Sequence, residues 1–113
     1  MDIDFREPHP LVLVMTPILE RLDAVSAGEL REIVKPRLHR RILVVMDLSH
    51  VQSIDSTGLG VLVSLLKALP RGGQLRLVHV TRSVRSLLSL TRLDRIFRIF
   101  EDVPDALMAF QAA

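Results

Sequence analysis

The sequence has no cysteine, no tryptophan and no tyrosine, and it has no long apolar run. Without cysteine there can be no disulfide, thiolate catalysis, iron–sulfur cluster or cysteine-ligated zinc. That suits a reducing compartment. The aromatic residues are Phe5, Phe97, Phe100 and Phe110 alone, too few for a platform that stacks nucleic-acid bases. No apolar stretch approaches the ~20 residues of a membrane span. Charge of one sign is also lacking: 15 basic residues stand against 13 acidic, for a net charge of +2. The pI of 9.9 reflects arginines that stay charged at high pH, and +2 is no electrostatic footprint for nucleic acid. The first ten residues, MDIDFREPHP, carry three acids and one Arg, whereas a secretory leader would open with positive charge. A cytoplasmic protein is expected.

What remains is the composition of one globular domain. The 113 residues are 49% hydrophobic and 25% charged, within the ~100–150 residues of a typical domain. A single domain over residues 1–113 is expected. MDIDF alternates apolar and acidic residues, as a strand does, and Pro8-His9-Pro10 is expected to break it. Leu11–Met15 reads as a buried strand that pairs with the first as a hairpin. Ser26-Ala27-Gly28-Glu29 has the form of a capping box, flanked by Val25 and Leu30 in hydrophobic-staple positions. Leu30, Ile33, Val34 and Leu38 mark the face of the helix that follows, and Pro36 should end or kink it. Ile42–Leu48 is apolar on both faces, which suits a central parallel strand. A helix over Leu59–Leu69, a strand over Leu75–Val80, a helix between Thr81 and Thr91, a strand at Ile96–Phe100 and a final helix capped by Asp102 complete the chain.

The order β-β-α-β-α-β-α-β-α predicts an α/β domain with a mixed, mainly parallel sheet of four or five strands and about four helices. Right-handed crossovers bring the C-terminal ends of the parallel strands to one edge, where ligands bind in open α/β sheets. The residues arriving there are Asp23, then Asp47, Asp55, Ser56 and Thr57, then His79 and Thr81. Any one of these aspartates could serve only as a helix or turn cap. Within IDSTGLG, Asp55 or Ser56 is placed to cap the next helix. Gly58 and Gly60 each weaken that helix by about 1 kcal/mol relative to Ala. Close packing on the sheet, or close approach by something else, would account for them. Leu59, Leu62, Val63 and Leu66 form one apolar stripe on this helix, with Val61, Leu65 and Leu69 beside it. The Val61–Leu65 stripe is expected to stay partly exposed near the N-terminal turn.

Asp47-Leu48-Ser49 followed by IDSTGLGVLVSLLKAL resembles the signature of STAS domains, and specifically of bacterial anti-sigma factor antagonists. LDAVSAGELREIVKPRL and GGQLRLVHVTRSVRSLLSLTRLDRIFRIF extend the resemblance over nearly the whole chain. It implies a STAS-like fold and partner switching. The unphosphorylated antagonist binds an anti-sigma factor that is a serine kinase, phosphorylation blocks that binding, and a phosphoserine phosphatase restores it. Carried over by position, the phosphorylated residue is Ser56. The implied partner-binding surface comprises Asp23, Asp55, Ser56, Thr57, Gly58, Leu59, Val61 and Leu65. The alternative within the family is a non-phosphorylated accessory subunit or scaffold, in a lipid-transport or stress-signalling complex.

Two positions depart from the family pattern. Glu20-Arg21-Leu22-Asp23 stands where Gly-x-Leu-Asp is usual, and Thr91-Arg92-Leu93 where Thr-Gly-Leu is common. Arg enters the left-handed backbone region less freely than Gly, so the third helix should end differently. Catalysis is not expected: His9, His39, His50 and His79 lie at no motif spacing from an acid, and there is no HExxH metal motif. No cofactor and no metal are expected. A monomer is the expectation, with a weak dimer as its alternative. Arg31, Lys35, Arg37, Arg40 and Arg41 read as solvated positions.

Overall fold

The computed structural model describes residues 1–111. Five strands form one sheet: β1 (Asp2–His9), β2 (Val12–Ile18), β4 (Leu43–Asp47), β6 (Gln74–Val78) and β7 (Arg98–Phe100), in the order β1-β2-β4-β6-β7. β1 is antiparallel to β2, and every other pair is parallel. A second, two-stranded parallel sheet joins β3 (Arg21–Leu22) to β5 (Ser53–Ile54). The helices are α1 (Ala27–Val34), α2 (Ser56–Ala68), α3 (Arg82–Leu90) and α4 (Val103–Gln111). The α/β class, the hairpin and the central position of the Ile42–Leu48 strand agree with the sequence.

Alternation along the strands divides the core. Leu13, Met15, Val44, Met46, Leu75 and Leu77 face the layer made by α1, α2 and α3. Val12, Val14, Leu43, Val45 and Val78 face the other side with Ala106 of α4. Arg76 breaks the apolar pattern of that second face and is only 4% exposed. Its guanidinium donates to the Ala106 carbonyl and, through Nε and Nη2, to Gln74 Oε1 at 3.2 and 2.9 Å. Burial, and then the neighbouring Arg98, lower its pKa, but from so high a value that it stays charged. The side chain ties α4 to the sheet.

Local expectations fared unevenly. β1 does not stop at Pro8 but runs to His9 through an irregularity between Arg6 and His9. It is an edge strand, where a missing amide costs little. α1 gives way to a 3-10 turn at Lys35–Leu38 with Pro36 inside it, as proline requires. The capping box does not form. Ser26 makes no side-chain cap bond, and its hydroxyl donates instead to the Arg21 carbonyl at 2.8 Å. Glu29 turns to the Met1 ammonium at 3.0 Å. Val25 is 90% exposed, so there is no staple. Asp23 takes over the capping: its Oδ1 accepts from the amides of Val25 and Ser26 at 3.0 and 3.3 Å.

Arg92 also corrects an expectation. It adopts φ 61°, ψ 18°, the left-handed geometry that a glycine would take, just after α3 ends at Leu90. A non-glycine residue in that region costs about 1–3 kcal/mol, partly offset because glycine loses more backbone freedom on folding. Arg92→Gly should therefore stabilise the domain by about 0.5–1 kcal/mol, read as a higher urea midpoint with an unchanged slope.

Candidate functional site

The C-terminal ends of β2, β4 and β6 share one edge, and the loops leaving them are joined there. Leu48 N donates to the Val78 carbonyl at 3.0 Å. Asp47 Oδ1 accepts from Ser49 N at 2.9 Å and meets His79 Nδ1 at 3.0 Å. His79 holds φ at 54°, a left-handed turn that brings its ring back to Asp47. Burial pushes the Asp47 carboxyl up, but the bonds from His79 and Ser49 outweigh it and hold the group below its ordinary value. Thr81 caps α3 through the Val84 amide and donates to the Gln52 carbonyl. His79 and Thr81 thus order the edge.

The small β3–β5 sheet completes it. Leu22 pairs with Ile54, and Asp55 N donates to the Leu22 carbonyl at 3.2 Å. The turn carrying Asp23 is thereby fixed beside the start of α2. Asp55 is the N-cap, with its Oδ1 accepting from Gly58 N at 3.0 Å. Ser56 and Thr57 follow in the first turn, both exposed. The Ser56 hydroxyl makes no hydrogen bond among the described residues. It stands at the positive end of the helix dipole with an acid on one side.

Sequence reasoning thus gathers Asp23, Asp55, Ser56 and Thr57 at one edge, and the structure brings them together. Gly58 and Leu59 lie beneath them, buried. The two glycines separate into different cases. A Cβ at Gly58 would stand 2.3 Å from the Leu22 carbonyl oxygen, whereas one at Gly60 would meet nothing within 4 Å. Close packing accounts for Gly58 and not for Gly60.

The expected exposure of the Val61–Leu65 stripe is overturned. Val61 is 8% and Leu65 2% exposed, because α1 packs alongside α2 and covers that flank. Exposed apolar side chains on this edge are instead Ile18 at the end of β2 and Val25 after Asp23. Sequence reasoning assigned Val25 to a staple and passed over Ile18. Its signal was slight: Ile18 and Leu19 follow Pro17 as a short apolar pair just beyond a buried run. Among the described residues no group of three or more His, Asp or Glu side chains could hold a metal ion.

The chain matches the STAS domain family over residues 3–106. Among solved structures it is similar to a Thermotoga maritima protein described as an anti-sigma factor antagonist. Identity is 30%, coverage 95% of this chain and 92% of that one, and the TM-score 0.82. An anti-sigma factor antagonist from Mycobacterium paratuberculosis is 27% identical over 96% of this chain and 93% of its own, with a TM-score of 0.80. The Bacillus cell fate determinant SpoIIAA in its phosphorylated form shares the fold at 12% identity, over 96% and 97% of the two chains, with a TM-score of 0.70. No curated protein matches.

Two outcomes follow from the geometry. Gly58→Ala should destabilise the domain by about 2–4 kcal/mol, since backbone must move to admit the methyl group. Gly60→Ala should stabilise it by up to about 1 kcal/mol through helix propensity alone, and denaturant unfolding of the pair separates the cases. Asp47 gives a pH signature. Its folded pKa lies below its unfolded value near 3.9, so its contribution is complete above that value and lost as pH falls through the folded pKa. Asp47→Asn should unfold more easily than the parent at neutral pH, and the difference should shrink as the pH falls below the unfolded value.

Proposed function

The chain belongs to the STAS domain family, and on that premise we propose that it is a non-enzymatic anti-sigma factor antagonist. It binds a cognate anti-sigma serine kinase, and phosphorylation of Ser56 ends that binding until a phosphoserine phosphatase reverses it. The observation that carries this reading is the Ser56 hydroxyl. It is exposed, held by no partner among the described residues, and sits on the first turn of a helix whose cap, Asp55, is a separate residue. A kinase can reach it without unfolding anything.

The same geometry supports a switch at the interface rather than in the fold. A phosphoryl group adds about −1.5 to −2 charge and three acceptor oxygens, and the amides at a helix N-terminus tolerate it. The charge lands beside Asp55 and near the Asp23 turn. A partner surface complementary to the unmodified edge then meets repulsion and an uncompensated anion. With Val61 and Leu65 covered, Ile18 and Val25 are the apolar contacts on offer around the acidic and hydroxyl groups. That combination of apolar anchors and a polar rim suits a protein partner.

The test is phosphate incorporation and affinity with the cognate kinase. Ser56→Ala should take up no phosphate, bind as the unmodified protein does, and shift stability by no more than about 0.5 kcal/mol, because Asp55 and not Ser56 is the cap. Ser56→Asp should fold equally well, since an acid suits the first helical turn, yet bind at least about tenfold more weakly. Thr57→Ala should still be phosphorylated. A Ser56→Ala protein phosphorylated as well as the parent, or a Ser56→Asp protein that binds tightly, defeats the proposal. No phosphate on any variant moves the chain to the family's non-phosphorylated accessory or scaffold role.

A further inference from the structure

α1 and α2 lie side by side on one face of the sheet, and an open groove runs between them from Gly60 toward their C-terminal ends. Two adjoining depressions of about 420 and 460 Å³ share Arg31, Lys35 and Ala68 as common walls. Gly60, Ser64 and Lys67 close the first on the α2 side, and the second continues past Pro36 to His39. Cations dominate the lining: Arg31, Lys35 and Lys67 face a single acid, Glu32.

These cations are unpaired. The ion pairs among the described residues are Met1–Glu29, Arg41–Glu7 and His79–Asp47, so Glu29 and Glu7 are committed elsewhere. Arg31 is also held in place, since its Nε donates to Ser64 Oγ at 2.8 Å across the helix pair. Its remaining guanidinium donors have no protein partner among the described residues. Gly60 leaves the wall bare, with open space where a side chain would stand.

We propose that this groove is a docking surface for an acidic protein segment that lays several Asp or Glu side chains along it. The surface begins at Gly60, one helical turn beyond Ser56, and binding there needs neither a kinase nor a phosphate. Its chemistry favours a peptide over a free phosphate or a nucleotide. The groove is walled by helix interiors whose amides are spent on helix hydrogen bonds, so no nest of backbone donors converges on a single anion. No Phe, Tyr or Trp side chain lines it to stack a base, and His39 stands alone at its far end. The cations are strung out instead of clustered: Arg31 and Lys35 stand one turn apart, about 6 Å, and Lys67 faces them from the second helix. Carboxylates one helical turn apart, or two residues apart on a strand at ~6–7 Å, have that spacing.

The test titrates a short glutamate-rich peptide into the full chain labelled with nitrogen-15, with inorganic phosphate and phosphatidylglycerol vesicles as separate arms. Amide shifts should move at Arg31, Lys35, Gly60, Ser64 and Lys67 with the peptide, and affinity should fall steeply with added salt. Lys35→Glu with Lys67→Glu should weaken peptide binding at least about tenfold. Arg82→Glu with Arg85→Glu on α3, an equal change in net charge, should leave it within about twofold. All four positions are exposed, and Lys35→Gln with Lys67→Gln is the milder pair if reversal disturbs the fold. Equal loss in the α3 variant would mean that net charge alone is felt, and the proposal fails. It fails also if the shifts fall elsewhere, if phosphate alone reproduces them, or if only the vesicles bind.

Discussion

The approach of α2 to β3 is the constraint on which the rest of the site depends. The Leu22 carbonyl lies so close beneath the first turn of α2 that only a glycine fits at position 58. That contact lets Leu22 pair with Ile54 and accept from the Asp55 amide. The pairing holds the Asp23 turn against the helix N-terminus, and Asp23 in turn starts α1 by accepting from Val25 and Ser26. One close backbone contact therefore sets where α1 begins, where α2 begins and what stands between them. Asp23, distant in sequence, thereby joins the consecutive Asp55, Ser56 and Thr57 in one surface.

What was legible in the sequence followed from periodicity and burial. Ile42–Leu48 is apolar on both faces and can only be covered on both sides, so its central place in the sheet could be read directly. Asp55 and Ser56 could be placed on the ligand edge because topology alone puts every loop after a parallel strand there. The failures were local competitions between equally good partners. Ser26 and Glu29 have the right spacing for a capping box, but Asp23 and the Met1 ammonium offered better bonds. Leu22 and Ile54 pair over two residues, too short a stretch for any period to show. Val61 and Leu65 form a stripe as visible as their neighbours, and a linear sequence does not say whether α1 covers it.

Left-handed backbone is concentrated where the chain must reverse. His79 and Arg92 both accept positive φ without being glycine, with different results. At His79 the strain turns the imidazole toward Asp47 and helps tie two strand ends together. At Arg92 the side chain is exposed and makes no hydrogen bond or ion pair among the described residues, so the strain there carries no visible return. Glu20 and Arg21, by contrast, sit in ordinary backbone, and the glycine common in the family at this turn is dispensable because Glu20 has only to offer its carbonyl to Gln52 and Ser53.

The sheet ends on one side at β1, whose outer edge no other strand among the described residues covers. Open edges are where sheets of separate molecules can join and grow into aggregates. Here the outward positions carry Asp2, Asp4, Arg6 and Glu7, and Pro8 removes an amide from the row. A second copy approaching that edge would meet a row of charged side chains that resist losing their water, and a missing donor. The irregularity between Arg6 and His9 also spoils the straight line that strand pairing needs. That border of the domain therefore resists fusing with a second copy into a continuous sheet, even at high concentration.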